Sequence, residues 1–158
     1  MLFRSVKRGG DSGRRLKISR IEWLSGLPLQ HGENFSLRIH FETFDEVHEV
    51  SIGVGLSNLE GVRLLTYETD FQTGHRPDLA RQKKGFVDVI VPALPLAPGL
   101  YSFCVGSRSG DAFGLDYIAE VGQVEVVMGP KTPGYIAVPG AGVRLTSDWN
   151  WNFDAPKK

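Results

Sequence analysis

Phe35-Ser36-Leu37-Arg38-Ile39-His40-Phe41-Glu42 alternates apolar and polar residues with a period of two rather than the 3.6 of a helix. In an extended chain, successive side chains point to opposite faces. Phe35, Leu37, Ile39 and Phe41 therefore share a face that must be covered, while Ser36, Arg38, His40 and Glu42 share one that meets water. The pattern recurs along the chain. Val50, Ile52, Val54 and Leu56 alternate with Ser51, Gly53 and Gly55; Val87, Val89 and Val91 alternate with Asp88 and Ile90. Tyr101, Phe103 and Val105 alternate with Ser102, Cys104 and Gly106; Val124 and Val126 alternate with Gln123, Glu125 and Val127. Weaker runs over 15–24, 62–69 and 142–149 bring the predicted strands to about eight.

The connections agree with this pattern. Asn58-Leu59-Glu60-Gly61 and Pro98-Gly99 carry turn chemistry. Pro77-Asp78-Leu79-Ala80-Arg81-Gln82 interrupts the alternation and predicts a turn or two of helix ended by Gly85, and 107–116 reads as a longer loop. Short strands at regular spacing, with no helical crossovers, predict one all-β domain: an immunoglobulin-like antiparallel β-sandwich.

Composition is consistent with that class. The chain has 158 residues, 41% hydrophobic and 23% charged, enough to bury a core of its own. Nineteen Gly and nine Pro are too few and too irregular for a fibrous chain. No run reaches the ~20 apolar residues that cross a bilayer. A single cysteine, Cys104, excludes an internal disulfide. The zero net charge divides unevenly: residues 1–20 hold seven basic side chains and one acid, residues 21–158 eleven basic and seventeen acidic. An acidic body argues against nucleic acid as partner. Residues 1–13 read as a basic flexible linker, or alternatively as a segment touching an acidic surface, with the domain at 14–151 and a tail at 152–158.

Catalytic patterns are missing. Gly53 and Gly55 resemble the start of a dinucleotide loop, but Asn58 stands where the third glycine belongs and no helix follows. His48-Glu49 begins like a zinc-protease motif, yet Ile52 occupies the second histidine's position. His31, His40, His48 and His75 are scattered, so neither metal nor cofactor is expected. Asn34-Phe35-Ser36 matches a glycosylation acceptor but opens a strand. The sequence shows no nucleophile elbow or phosphate loop.

The outward residues say more. Ser51, Gly53 and Gly55 on one strand and Ser102, Cys104 and Gly106 on another would be neighbours or near neighbours in one sheet of immunoglobulin-like connectivity, and adjacent rows of small residues would leave a shallow trough. Arg63, Thr66 and Tyr67 would wall one side, Gln123 and Glu125 the other. Hydroxyl, amide, carboxylate and guanidinium groups around an aromatic ring suit a sugar. The expected glycan-contacting residues are Ser51, Arg63, Thr66, Tyr67, Ser102, Gln123 and Glu125. Alternatively, small residues make room for another segment of protein. The opposite sheet offers a second candidate face with Arg38, His40 and Asp88, beside Glu42.

Lys17-Ile18-Ser19-Arg20-Ile21-Glu22-Trp23-Leu24, His31-Gly32-Glu33-Asn34-Phe35, Leu94-Pro95-Leu96-Ala97-Pro98-Gly99-Leu100-Tyr101, Leu115-Asp116-Tyr117-Ile118 and Gly142-Val143-Arg144-Leu145 with Trp149 together resemble the C-terminal domain of Wzt-type ATP-binding subunits, which belong to ABC transporters exporting O-antigen polysaccharide. The likeness spans roughly 14–151, and the Leu-Pro-Leu-x-Pro-Gly-x-Tyr run is its most specific part. It implies a non-catalytic carbohydrate-binding module, cytoplasmic at the inner face of the bacterial inner membrane. It also implies a homodimer exchanging 134–151, with an upstream ATPase domain and a transmembrane transporter subunit as partners. This chain carries no phosphate loop of its own. A dimerisation or partner-docking role, or service as the glycan-holding appendage of a glycosyl- or methyltransferase, are the alternatives.

Overall fold

A computed structural model describes Arg8 and residues 11–71, 73–130 and 142–143. Its elements are β1 (Leu16–Trp23), β2 (Leu29–Gln30), β3 (Phe35–Thr43), β4 (Val50–Ser57), β5 (Arg63–Glu68), β6 (Lys84–Val91), β7 (Gly99–Ser109) and β8 (Phe113–Val127). No helix occurs among the described residues. The strands form a three-stranded sheet, β1-β3-β6, facing a five-stranded sheet, β2-β8-β7-β4-β5. All pairings are antiparallel except the two-residue contact of β2 with β8.

The alternating residues bury as their period dictates. Phe35, Leu37 and Ile39 of one sheet meet Val54, Leu56, Phe103 and Val105 of the other, all with 2% exposure or less. Each such side chain stabilises the fold by about 1.5–3 kcal/mol. Bulges shift the phase where the alternation fails. In β1 the pairing slips between Ile18 and Arg20, so Ile18 and Ile21, three apart, both face inward. In β8 two slips opposite β7 bring Leu115, Ile118 and Val121 inward together.

The Leu-Pro-Leu run packs at the end of the core. Leu94 and Leu96 are fully buried, the His31 ring donates from Nδ1 to the Leu96 carbonyl at 2.8 Å, and Tyr101 donates its hydroxyl to the Ala97 carbonyl at 2.6 Å. Val143 forms a single bridge with Leu96, and Ala97 N donates to the Gly142 carbonyl at 2.8 Å. The rest of 134–151, and the tail 152–158, lie outside the described residues.

Two sequence expectations need correcting. Residues 107–116 are not a long loop: β7 runs to Ser109, Gly110 turns with φ +57°, and β8 starts at Phe113. Pro77–Gln82 forms no helix. Instead Leu79 bridges Val47, Gln82 takes φ +57°, and Gly85 belongs to β6 beneath the Phe41 ring. At the N-terminal side, contacts with the domain reach back before residue 14. Arg8 Nε donates to Asp116 Oδ1 at 2.8 Å, Ser12 Oγ donates to the same oxygen at 2.9 Å, and Ile18 N donates to Oδ2 at 2.7 Å. Asp116 is buried, and these three donors satisfy its charge.

Candidate functional site

On the outer face of the five-stranded sheet the small residues fall into register. Gly53 lies between Glu68 of β5 and Gly106 of β7; Gly55 lies between Thr66 and Cys104; Gly106 lies opposite Tyr117 of β8. They floor a trough of about 340 Å³. Larger side chains lean over the floor because the glycines leave room. A Cβ on Gly55 would overlap the Arg63 guanidinium, and one on Gly106 would stand 3.0 Å from the Tyr117 ring. The Glu68 side chain covers Gly53, with Cγ 3.1 Å from the place a Cβ would take.

Arg63 is held flat by neutral acceptors. Nε donates to Ser57 Oγ at 3.2 Å, Nη2 donates to Cys104 Sγ at 2.9 Å, and Nη1 approaches Thr66 Oγ1 at 3.5 Å. The Tyr117 phenol contacts Cys104 and Arg63; the Cys104 hydrogen bond and burial raise its pKa above the ordinary tyrosine value, against an opposing effect of Arg63.

The far end is a charge network. Ser51 donates to Asp70 Oδ1 at 2.5 Å, Arg76 Nε reaches Oδ2 at 2.6 Å, and Arg108 Nη2 reaches it at 2.9 Å. The Ser51 hydrogen bond holds the Asp70 carboxyl well below the usual carboxylate range, and Arg76 and Arg108 add to this against the effect of burial. Arg108 also lies 3.7 Å from Glu68, and Arg76 pairs with Asp111 at 2.7 Å.

Among the expected residues, Ser51, Arg63 and Thr66 line the trough. Ser51 is buried and spends its hydroxyl on Asp70. Tyr67 does not line it. It pairs with Val54 and so faces inward, edge-on to Phe35 with ring centroids 6.4 Å apart, and burial raises its phenol's pKa. Ser102 and Gln123 pair with each other beyond the trough, and Glu125 pairs with Leu100 further along; none of the three lines it. Glu68, Arg108 and Tyr117 do, and sequence reasoning had not placed them there. Tyr117 directly follows the expected loop 107–116, so no strand register was available to set it against Gly106.

The second candidate face is largely self-satisfied. Arg38 makes two hydrogen bonds to Asp88, at 2.7 and 2.9 Å, and stacks on Phe86 with its guanidinium 3.8 Å from the ring centroid. His40 Nε2 lies 3.0 Å from Glu22, and burial, followed by the nearby Arg20 and Arg38, lowers its pKa. His40 borders an open groove of about 450 Å³, where Lys84 pairs with Glu42 at 3.3 Å. The groove is larger than the trough, but its polar groups have each other.

Among the described residues no cluster of His, Cys, Asp and Glu is arranged to hold a metal ion, and no helix is long and apolar enough to cross a membrane. Cys104 faces a guanidinium and a phenol rather than a base. The trough thus offers donors, acceptors and one ring on a rigid sheet, an arrangement suited to binding.

The architecture is that of a two-sheet β-sandwich with a recess on one outer face. The family described as the Wzt C-terminal domain matches residues 17–138, and the chain belongs to that family, a non-catalytic domain of ABC transporters in the setting of O-antigen export. Among solved structures, the chain is similar to the crystal structure of the C-terminal domain of Wzt at 16% identity and a TM-score of 0.74, covering 96% of this chain and 91% of that one. It is also similar to a Niemann-Pick type C2 protein from the Japanese carpenter ant at 12% identity and a TM-score of 0.55, covering 78% and 99%. Both likenesses concern the fold. No curated protein sequence matches the chain.

Proposed function

We propose that this domain binds a bacterial O-antigen or related surface polysaccharide and couples cargo identity to its export by an ABC transporter. The observation that carries this is the trough on β5-β4-β7-β8, where Arg63, Thr66, Glu68 and Tyr117 converge over a floor of glycines. A sugar needs directional hydrogen bonds together with an apolar surface for its C–H groups, and the exposed Tyr117 ring beside these polar groups supplies both. Sugars exchange good water bonds for protein bonds with little net gain, so single-site affinity falls in the millimolar to micromolar range. A homodimer exchanging its C-terminal segment would double the sites and raise avidity. On this reading an upstream ATPase domain and a transmembrane subunit are its other partners, and the domain works in the cytoplasm at the inner membrane.

The test is titration with polysaccharide from the bacterium that encodes the chain. Tyr117→Ala and Thr66→Ala should weaken binding several-fold, while Arg38→Gln should leave it unchanged. Loss confined to Arg38→Gln would move the site to the other sheet. The absence of any saturable binding would favour an assembly role.

A further inference from the structure

We propose that the trough selects a saccharide carrying an anionic group, a carboxylate or a phosphate ester, seated on Arg63. The inference rests on the trough being the glycan site and concerns the chemistry of what enters it. Every other described arginine except Arg81 has a carboxylate within 4.0 Å. Arg81 donates to the Phe44 carbonyl, outside the trough. Arg63 is held by Ser57, Cys104 and Thr66 and touched by the Tyr117 phenol, none of them a carboxylate, although residues 21–158 hold seventeen acids against eleven basic residues. Its charge is fixed in place within a recess and left without a counter-ion among the described residues.

The rest of the trough makes that charge directional. At the far end, three acids, Glu68, Asp70 and Asp111, meet two arginines, Arg76 and Arg108. Arg63 lies over Gly55 and Asp70 is bonded to Ser51, four residues away along β4, or about 13 Å. Of those acids and arginines only Glu68 and Arg108 line the recess, 3.7 Å apart, and Asp116, which also lines it, is paired with Arg8 at 2.8 Å, so the unbalanced charge of the recess lies at Arg63. A neutral sugar gains nothing from that charge. An acidic one is drawn to Arg63, turned so that its uncharged hydroxyls face Glu68 and Arg108, and bound through the charge-assisted, forked geometry that guanidinium offers to carboxylate and phosphate.

The experiment is a glycan array printed with neutral saccharides and their uronate- and phosphate-bearing counterparts, followed by calorimetry of the tightest matched pair at low and physiological ionic strength. The acidic member should bind roughly tenfold tighter, with the advantage shrinking as salt rises. Arg63→Gln should abolish the difference and Arg63→Lys should keep most of it. The uronate and phosphate arms identify which anion is preferred. Equal binding of neutral and acidic partners, undiminished by Arg63→Gln but lost in Tyr117→Ala, overturns this inference and leaves the glycan site standing. Absence of binding by either class overturns both. If Arg63→Gln failed to fold, the matched pair on the unaltered protein would decide alone.

Discussion

Replacing Gly55 with alanine adds one methyl group at the point where Arg63 lies closest to the sheet. The methyl overlaps the guanidinium, with Nε only 2.8 Å from its position, so Arg63 must lift away. Stability should hardly change. Alanine in a strand gains about 0.5–1 kcal/mol over glycine, while the displaced guanidinium loses its bonds to Ser57 and Cys104, each about 0.5 kcal/mol at this exposed edge. The net is expected within about 1 kcal/mol of zero by urea denaturation. Binding of polysaccharide should weaken roughly tenfold, about 1.4 kcal/mol, because the charge leaves its place on the floor. The Gly55→Ala/Arg63→Gln double variant should bind no worse than Arg63→Gln alone, since both changes act on one contact. Unchanged binding by Gly55→Ala, or additive losses in the double variant, would refute the reasoning.

Two further variants concern stability. Asp70→Asn should cost about 2–3 kcal/mol by leaving Arg76 and Arg108 facing a neutral amide, and unfolding by denaturant measures it. Asp70 has a lowered folded-state pKa, so its contribution is complete above the ordinary aspartate value near 4. It is lost as pH falls from there towards the folded value, with a slope of up to about 1.4 kcal/mol per pH unit. A stability profile from pH 5 to about pH 2.5 should therefore be flatter in Asp70→Asn than in the wild type. Ser107→Ala should be neutral or stabilise by up to about 1 kcal/mol, because the buried Ser107 hydroxyl has no hydrogen-bond partner among the described residues; a raised thermal midpoint is the readout.

The strands were legible where the sandwich is regular. Each sheet buries one face, so β3, β4, β6 and β7 declared themselves by strict alternation, and the neighbourhood of β4 and β7 followed from connectivity. What the sequence hid were the slips in register. On β5, Leu56 pairs with Leu65 but Ser57 with Arg63, so Arg63 and Thr66, three apart, share the outer face while Tyr67 turns inward. Simple counting along the chain cannot see a bulge, because the extra residue is defined by the partner strand rather than by its own composition. The same holds for β8, where two slips and a tight turn at Gly110 place Tyr117 over Gly106, directly after a segment, 107–116, whose Ser, Gly and Asp content suggests a loop. Arg38 and Asp88 looked available as single residues. Only the pairing of β3 with β6 sets them directly opposite each other and closes the ion pair.

Chemical-shift mapping of the isotope-labelled domain with polysaccharide from the bacterium that encodes it tests the central claim most directly. The account expects saturable perturbations clustered at the amides of Arg63, Thr66, Glu68, Gly106 and Tyr117, with the β1-β3-β6 face silent. Perturbations centred on Arg38, His40 and Phe86, or none at saturating polysaccharide, would contradict it.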